Sequence, residues 1–99
     1  MSPGSHKAER FEAEILSGHK GAACEVGFDP AERWGIPSRL LWPGRRGHPV
    51  TGTLNGKPFE SVVVPRAHRF FVLVDEGVMK SAKVAVGATV RLTLSPRDT

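Results

Sequence analysis

The chain has 99 residues, the length of a single domain, and its 39% hydrophobic and 24% charged residues are typical of a globular protein rather than a disordered one. Its one cysteine, Cys24, excludes an internal disulfide framework and a cysteine-rich zinc site. An excess of 14 Lys and Arg over 10 Asp and Glu gives a formal charge of +4, which favours anionic partners.

The first two patterned segments alternate apolar and polar residues, which is typical of half-buried strands. In the segment 10–16, one face carries Phe11, Ala13 and Ile15. In the segment 22–28, one face carries Ala22, Cys24, Val26 and Phe28. A polar turn at 17–21 separates the two segments, so we predict that they pair as an antiparallel hairpin.

A short helix is predicted after Asp29, because an aspartate can cap a helix and Pro30 suits its first position. Gly35 can end that helix after a turn or two. The next segment, 38–47, contains Pro-Gly and Arg-Gly steps and is predicted to be an irregular loop.

The strongest local signal is Asn55-Gly56, because this pair readily adopts the positive φ angles of a type I′ hairpin turn. With the pair as the loop, Leu54 lies opposite Lys57, and the hydrophobic pattern agrees with that register. One face of the hairpin then carries Val50, Leu54, Phe59 and Val63. Pro58 has no N–H to donate, so its strand is predicted to be an edge at that point.

The C-terminal third predicts a strand, a helix and a final strand. The segment 69–74 is apolar on both faces, which is typical of a strand buried on both sides. Asp75 is expected to cap a short helix at 76–83. The segment 88–94 is the last predicted strand, and its inward face carries Val90, Leu92 and Leu94.

Together these elements predict an all-β fold: a small closed antiparallel β-barrel of about six strands with one or two short helices. Closure is expected because it removes exposed sheet edges. We expect a flexible tail at 1–9, a single domain at 10–95 and a C-terminal tail at 96–99.

The second half of the sequence resembles the domain of unknown function 1905 family. The segment 48–59 is similar to its "pV.gtinG.pf" hairpin, 71–74 to the apolar strand that follows, and 84–94 to its "G.tV.v.l" final strand. The segment 11–15 matches its opening strand. The resemblance covers about residues 10–95 and implies a small closed β-barrel of bacterial origin with no established activity.

A second, fold-level likeness concerns the segment 70–94. Its order of strand, capped short helix, glycine turn and strand is similar to that of AbrB-type swapped-hairpin proteins, which dimerise and bind DNA. This likeness implies a homodimer with a DNA-binding role.

The basic residues are concentrated in one part of the chain. Residues 1–35 contain four basic and six acidic residues, a net −2, whereas residues 36–99 contain ten basic and four acidic residues, a net +6. Within 36–69 only Glu60 is acidic. The candidate binding residues are Arg39, Arg45, Arg46, Arg66 and Arg69, with Trp34 and Trp42 as aromatic contacts. Clustered arginines bind phosphates while an aromatic ring stacks on a base.

Two alternatives remain open for these residues. The basic stretch is either a ligand surface or a solvated loop whose charge keeps the protein soluble. Trp34 and Trp42 either cap one end of the barrel or form an exposed patch that marks an interface.

We find no catalytic motif and expect no cofactor. The four histidines lack the spacing that directs two imidazoles at one metal ion, so no metal site is expected. A nucleophile elbow and a phosphate-binding glycine loop are also absent from the sequence. The chain therefore indicates a non-enzymatic protein more than an enzyme.

Three functions follow from this reading. The first is a binding module with a basic surface for an anionic ligand or nucleic acid. The second is a DNA-binding regulator on a dimeric β-scaffold. The third is a small enzyme or ligand carrier that uses the barrel cavity, with Arg66, Arg69 or Arg91 holding an anion. The protein is expected to be a monomer or homodimer in the cytoplasm. No membrane partner is expected, because no apolar run approaches the roughly 20 residues of a membrane helix.

Overall fold

The computed structural model describes residues 8–18 and 21–97, so most of the predicted N-terminal tail and the last two residues lie outside it. The two helices are α1 (Pro30–Trp34) and α2 (Glu76–Ala82). The strands, in chain order, are β1 (Glu9–Glu14), β2 (Leu16–Gly18), β3 (Gly21–Val26), β4 (Arg39–Trp42), β5 (Arg45–Leu54), β6 (Lys57–Arg66), β7 (Arg69–Val74) and β8 (Thr89–Pro96).

The strands form one antiparallel sheet in the order β1-β8-β5-β6-β7-β3-β2, and β4 pairs with β5 beside this path. The all-β prediction is confirmed, but the sheet is an open half-barrel of seven strands, so the predicted closed barrel is wrong. Among the described residues, β1 pairs only with β8 and β2 only with β3, so no ladder joins the two ends of the sheet. Ile15 lies between β1 and β2. Its N–H donates to the Ala88 carbonyl at 2.9 Å and its carbonyl accepts from the Gly87 N–H at 2.8 Å, so the chain passes to the other end of the sheet there.

Aromatic packing joins the two ends of the sheet. Phe11 of β1 lies edge-on to Phe28, which follows β3, with ring centroids 6.1 Å apart. Phe28 also lies edge-on to Trp34 of α1, at 5.4 Å. Arg33 stacks over Phe28 at 5.0 Å and pairs with Glu9 of β1. Apolar contact and one ion pair therefore hold α1 and β1 together at this opening.

The core lies on the inner face of the half-barrel, and the helices pack against it. Strands β3, β5, β6, β7 and β8 supply most of it through the alternation that the sequence shows, and α2 adds Val78, Met79 and Ala82. The fully buried side chains include Ile15, Cys24, Val50, Leu54, Val63, Val72, Leu92 and Leu94.

The predictions that rest on turn and cap residues are confirmed. Leu54 pairs with Lys57 across Asn55 and Gly56, whose φ angles are 50° and 84°. The ladder between β6 and β7 begins only at Val63, so the β6 backbone around the early proline has no β7 partner, as an edge position requires.

Both helix caps are also as predicted. Asp29 caps α1 by accepting from the Ala31 N–H at 2.9 Å, and Gly35 ends that helix with φ of 68°. Asp75 caps α2 by accepting from the Val78 N–H at 2.8 Å.

Three predictions about longer segments are wrong. The segment 10–16 does not pair with 22–28 as a long hairpin, because β1 pairs with β8 and only β2 pairs with β3. The segment 38–47 is not an irregular loop but the hairpin β4–β5. Strand β7 is buried on one face through Val72 and Val74, whereas Phe71 and Leu73 on its other face are half-buried.

Strand β5 carries two glycines at close backbone approaches. A Cβ on Gly52 would lie 1.6 Å from the Thr93 carbonyl oxygen of β8. A Cβ on Gly47 would lie 2.3 Å from the Val63 carbonyl oxygen of β6. Both neighbours are backbone atoms, so neither contact is relieved by a side-chain rotation. The sheet around β5 therefore requires glycine at both positions.

We predict that Gly52→Ala lowers the free energy of unfolding by roughly 3 kcal/mol or more, because β8 must move away from β5. The melting temperature should fall by about 12 °C or more. The matched control is Gly27→Ala, where a Cβ meets nothing within 4 Å. Equal melting temperatures for the two variants would contradict the close approach.

The buried thiol of Cys24 gives a pH dependence. Burial raises its pKa from 9.0 to about 11. Between these values the unfolded chain has lost a proton that the folded protein keeps, so the folded state is progressively destabilised as the pH rises from 9 to 11. Denaturant unfolding should show a steeper loss of stability over this range than in Cys24→Ala. Equal pH slopes for the two proteins would show that the thiol is not shielded.

Candidate functional site

The segment that carries most of the predicted arginines is the hairpin β4–β5. Arg39 pairs with Gly47, and Trp42 pairs with Arg45 across a turn in which Gly44 has φ of 84°. The register shifts between Leu40 and Trp42, as at a β-bulge. The bulge and the short length of β4 leave this hairpin at the margin of the sheet.

Two large apolar side chains of β4 are exposed. Leu40 has 60% of its surface accessible and Trp42 has 46%. Leu41, between them, is half-buried and lies over Gly47, where an added Cβ would meet its Cδ1 at 2.9 Å. Leu41 thus packs the hairpin onto the sheet, while its two neighbours remain in contact with solvent.

The arginines of β5 are held in place by hydrogen bonds to the main chain. The Nη2 of Arg46 donates to the Ser38 carbonyl at 2.9 Å, and its Nε donates to the Ser38 hydroxyl at 3.4 Å. The Nη1 of Arg45 donates to the Pro65 carbonyl of β6 at 3.2 Å. The hydrogen bond to Pro65 places the guanidinium of Arg45 beside the turn that joins β6 to β7.

That turn has an unusual backbone. Arg66 pairs with Arg69, and the two loop residues Ala67 and His68 have φ angles of 51° and 67°. Positive φ at both positions defines a type I′ turn, which normally takes Asn and Gly. Arg69 also forms an exposed ion pair with Glu25 of β3 at 3.3 Å. The turn therefore presents two arginines on a backbone with a conformational cost.

Arg39, Arg45 and Arg46 lie on one hairpin, and Arg45 lies beside the turn that carries Arg66 and Arg69. The two tryptophans are separated. Trp42 is exposed beside the arginines, whereas Trp34 is 5% exposed and packs on Phe28 in the core. Trp34 is therefore not available as an aromatic contact for a ligand, because its ring is buried where the two ends of the sheet meet. We define the basic hairpin surface as Arg39, Leu40, Trp42, Arg45, Arg46, Arg66 and Arg69.

Sequence reasoning missed the residues that position this surface. Ser38 and Pro65 act through their carbonyl groups, which no side-chain pattern reveals. The tight β6–β7 turn was also missed, because Ala67-His68 lacks the Asn or Gly that signals it. The one available signal was the short gap at 66–69 between two apolar runs.

Two open depressions lie near β8, and none of the five arginines lines either of them. The first, of about 360 Å³, is lined by Thr53, Asn55, Gly56, Arg91 and Thr93. The second, of about 270 Å³, is lined by Arg10, Phe11, Glu12, Arg91, Leu92 and Thr93. The half-barrel interior is instead filled by buried aliphatic side chains.

Residues 8–18 and 21–97 show neither a metal-binding cluster nor a membrane-spanning helix. No group of three His, Cys, Asp or Glu side chains in these ranges is arranged to hold a metal ion. The helices found there are too short and too polar to cross a bilayer.

These features define a class of protein: a small all-β domain with a filled interior and an exposed basic hairpin. The chain belongs to the family described as "Domain of unknown function (DUF1905)", whose profile matches residues 11–94. The match extends from β1 to β8 and confirms the resemblance drawn from the hairpin and the final strand. A search of curated proteins finds no match.

The backbone of the β6–β7 turn yields a stability prediction. Replacing Ala67-His68 by Asn-Gly should raise the free energy of unfolding by roughly 1–2 kcal/mol, because these residues adopt positive φ at lower cost. The melting temperature should rise by roughly 4–16 °C. The opposite change at the other turn, Gly56→Ala, should lower it. No rise in the Asn-Gly variant would show that the native turn is unstrained.

Proposed function

We propose that this protein is a non-enzymatic binding module whose basic hairpin surface takes an anionic ligand, acting as a monomer or homodimer in the cytoplasm. The observation that carries the proposal is the meeting of two chain segments at the Arg45–Pro65 hydrogen bond. Arginines that lie far apart in sequence thereby become one positively charged area. Such an area attracts anions over a distance and binds phosphate or carboxylate groups through charge-assisted hydrogen bonds.

The positioning of the arginines supports binding rather than solubility alone. A guanidinium has five N–H donors. Arg46 and Arg45 use some of them on main-chain carbonyls, which fixes the side chains, and their other donors remain for a ligand. Side chains that are already ordered lose less entropy when a ligand binds.

The other two functions have less support from the fold. A carrier or an enzyme that uses a barrel cavity needs interior space, and the inner face is packed with Val50, Leu54 and Leu92. A swapped dimer needs strands that find partners in a second chain. Here β7 pairs with β3 and β6, and β8 pairs with β1 and β5, all within one chain.

The proposal is tested by binding of mixed DNA and RNA fragments and of heparin at low salt. We expect binding that weakens steeply as the salt concentration rises. Arg45→Ala combined with Arg46→Ala should weaken binding of every polyanion by at least about tenfold. The slope of log K against log salt should fall by roughly 1.4–1.8, because two contacts to anionic groups are lost.

The matched control is Lys57→Ala combined with Lys80→Ala, which removes the same charge from other elements. Lys57 begins β6 at the far end of the β5–β6 hairpin, and Lys80 lies on α2. Equal loss of binding in the control and the arginine variant would indicate attraction by net charge without a site. No binding of any polyanion at low salt would refute the proposal.

A further inference from the structure

We propose that the ligand of the basic hairpin surface is a single-stranded nucleic acid, with Trp42 as the platform on which a base stacks. This inference rests on the proposed function and adds the class of ligand. It starts from the coincidence of an exposed indole and ordered arginines on one hairpin. Trp42 and Arg45 are cross-strand partners next to the turn, so a ligand that touches one reaches the other.

The exposed apolar side chains indicate the shape of the ligand. Leu40 and Trp42 lie on a short strand with solvent on the outside, at 60% and 46% exposure. Leu40 pairs with Arg46 and Trp42 pairs with Arg45, so the indole is the exposed apolar group beside Arg45. An exposed indole on a small domain marks a contact surface. The contacting group must therefore have an apolar face, which a simple anion such as phosphate or sulfate does not offer.

Charge decides which apolar partner fits. A second copy of this chain would bring Arg45 and Arg46 against their own counterparts, and like charges repel. A partner with negative charge at regular intervals and flat apolar faces between the charges matches both parts of the surface. A single strand of nucleic acid has this alternation, because each phosphate is followed by an unstacked base. A duplex hides its base faces and leaves Trp42 without a partner.

The β6–β7 turn adds further arginines that can contact the sugar-phosphate backbone of the ligand. Arg45 lies beside the β6–β7 turn through its bond to Pro65, and that turn carries Arg66 and Arg69. A strand whose base stacks on Trp42 can then continue towards this turn with its phosphates on arginines. The ion pair between Arg69 and Glu25 is exposed, so a phosphate exchanges for it at low cost.

The test uses fluorescent oligo-dT of about 12 nucleotides, a duplex of equal length, and heparin as a polyanion without bases. Wild-type protein should bind the single strand more tightly than the duplex, with quenching of tryptophan fluorescence. Trp42→Leu should bind oligo-dT roughly 5- to 100-fold more weakly, with heparin binding unchanged within about twofold. It should also lose the quenching, because the remaining Trp34 is buried. Trp42→Phe, which keeps an aromatic face, should retain most of the affinity.

The outcomes separate this inference from the proposed function. If heparin and oligo-dT bind equally well to wild type and to Trp42→Leu, the surface takes polyanions but the base platform is refuted. Tighter binding of the duplex than of the single strand also refutes it. Light scattering could instead show a dimer that Trp42→Leu abolishes. The partner of the hairpin would then be a second copy of this chain, and the nucleic-acid inference would be refuted. If no polyanion binds, the proposed function itself fails.

Discussion

The structure depends on the backbone contacts of β5. This strand pairs with β4, β6 and β8, and it supplies both inner-face residues such as Val50 and the arginines of the hairpin. Three neighbours fit around it because Gly47 and Gly52 have no Cβ where the carbonyl groups of β6 and β8 pass. The hairpin is therefore an extension of the most constrained strand rather than a free loop. A rigid base explains how two arginines come to be held by main-chain carbonyls of other segments.

Much of the local structure was predictable, because it is encoded by residues that act on their nearest neighbours. Asp29, Asp75 and Asn55-Gly56 each determine a cap or a turn through their own side chain or backbone freedom. The order of strands was not predictable in the same way. The alternation of β1 specifies that one face is buried but not which strand it joins, and the passage at Ile15 depends on hydrogen bonds to a distant loop.

The candidate site was likewise predictable only in part. Composition and position identified the arginines, since they lie in a segment with almost no acidic residues. The separation of Trp34 from Trp42 depends on tertiary packing and not on the residues beside each tryptophan in the sequence. Only the structure shows that Trp34 packs on Phe28 in the core, while Trp42 of β4 stays exposed.

The most direct test of the central claim is an NMR titration of the labelled protein with oligo-dT, followed through the backbone amides. We expect shifts confined to β4, the first residues of β5 and the β6–β7 turn, with α2 unaffected. The side-chain Nε1–H of Trp42 should shift and that of Trp34 should not. Shifts centred on the depression beside Arg91, or no shifts at low salt, would contradict the account.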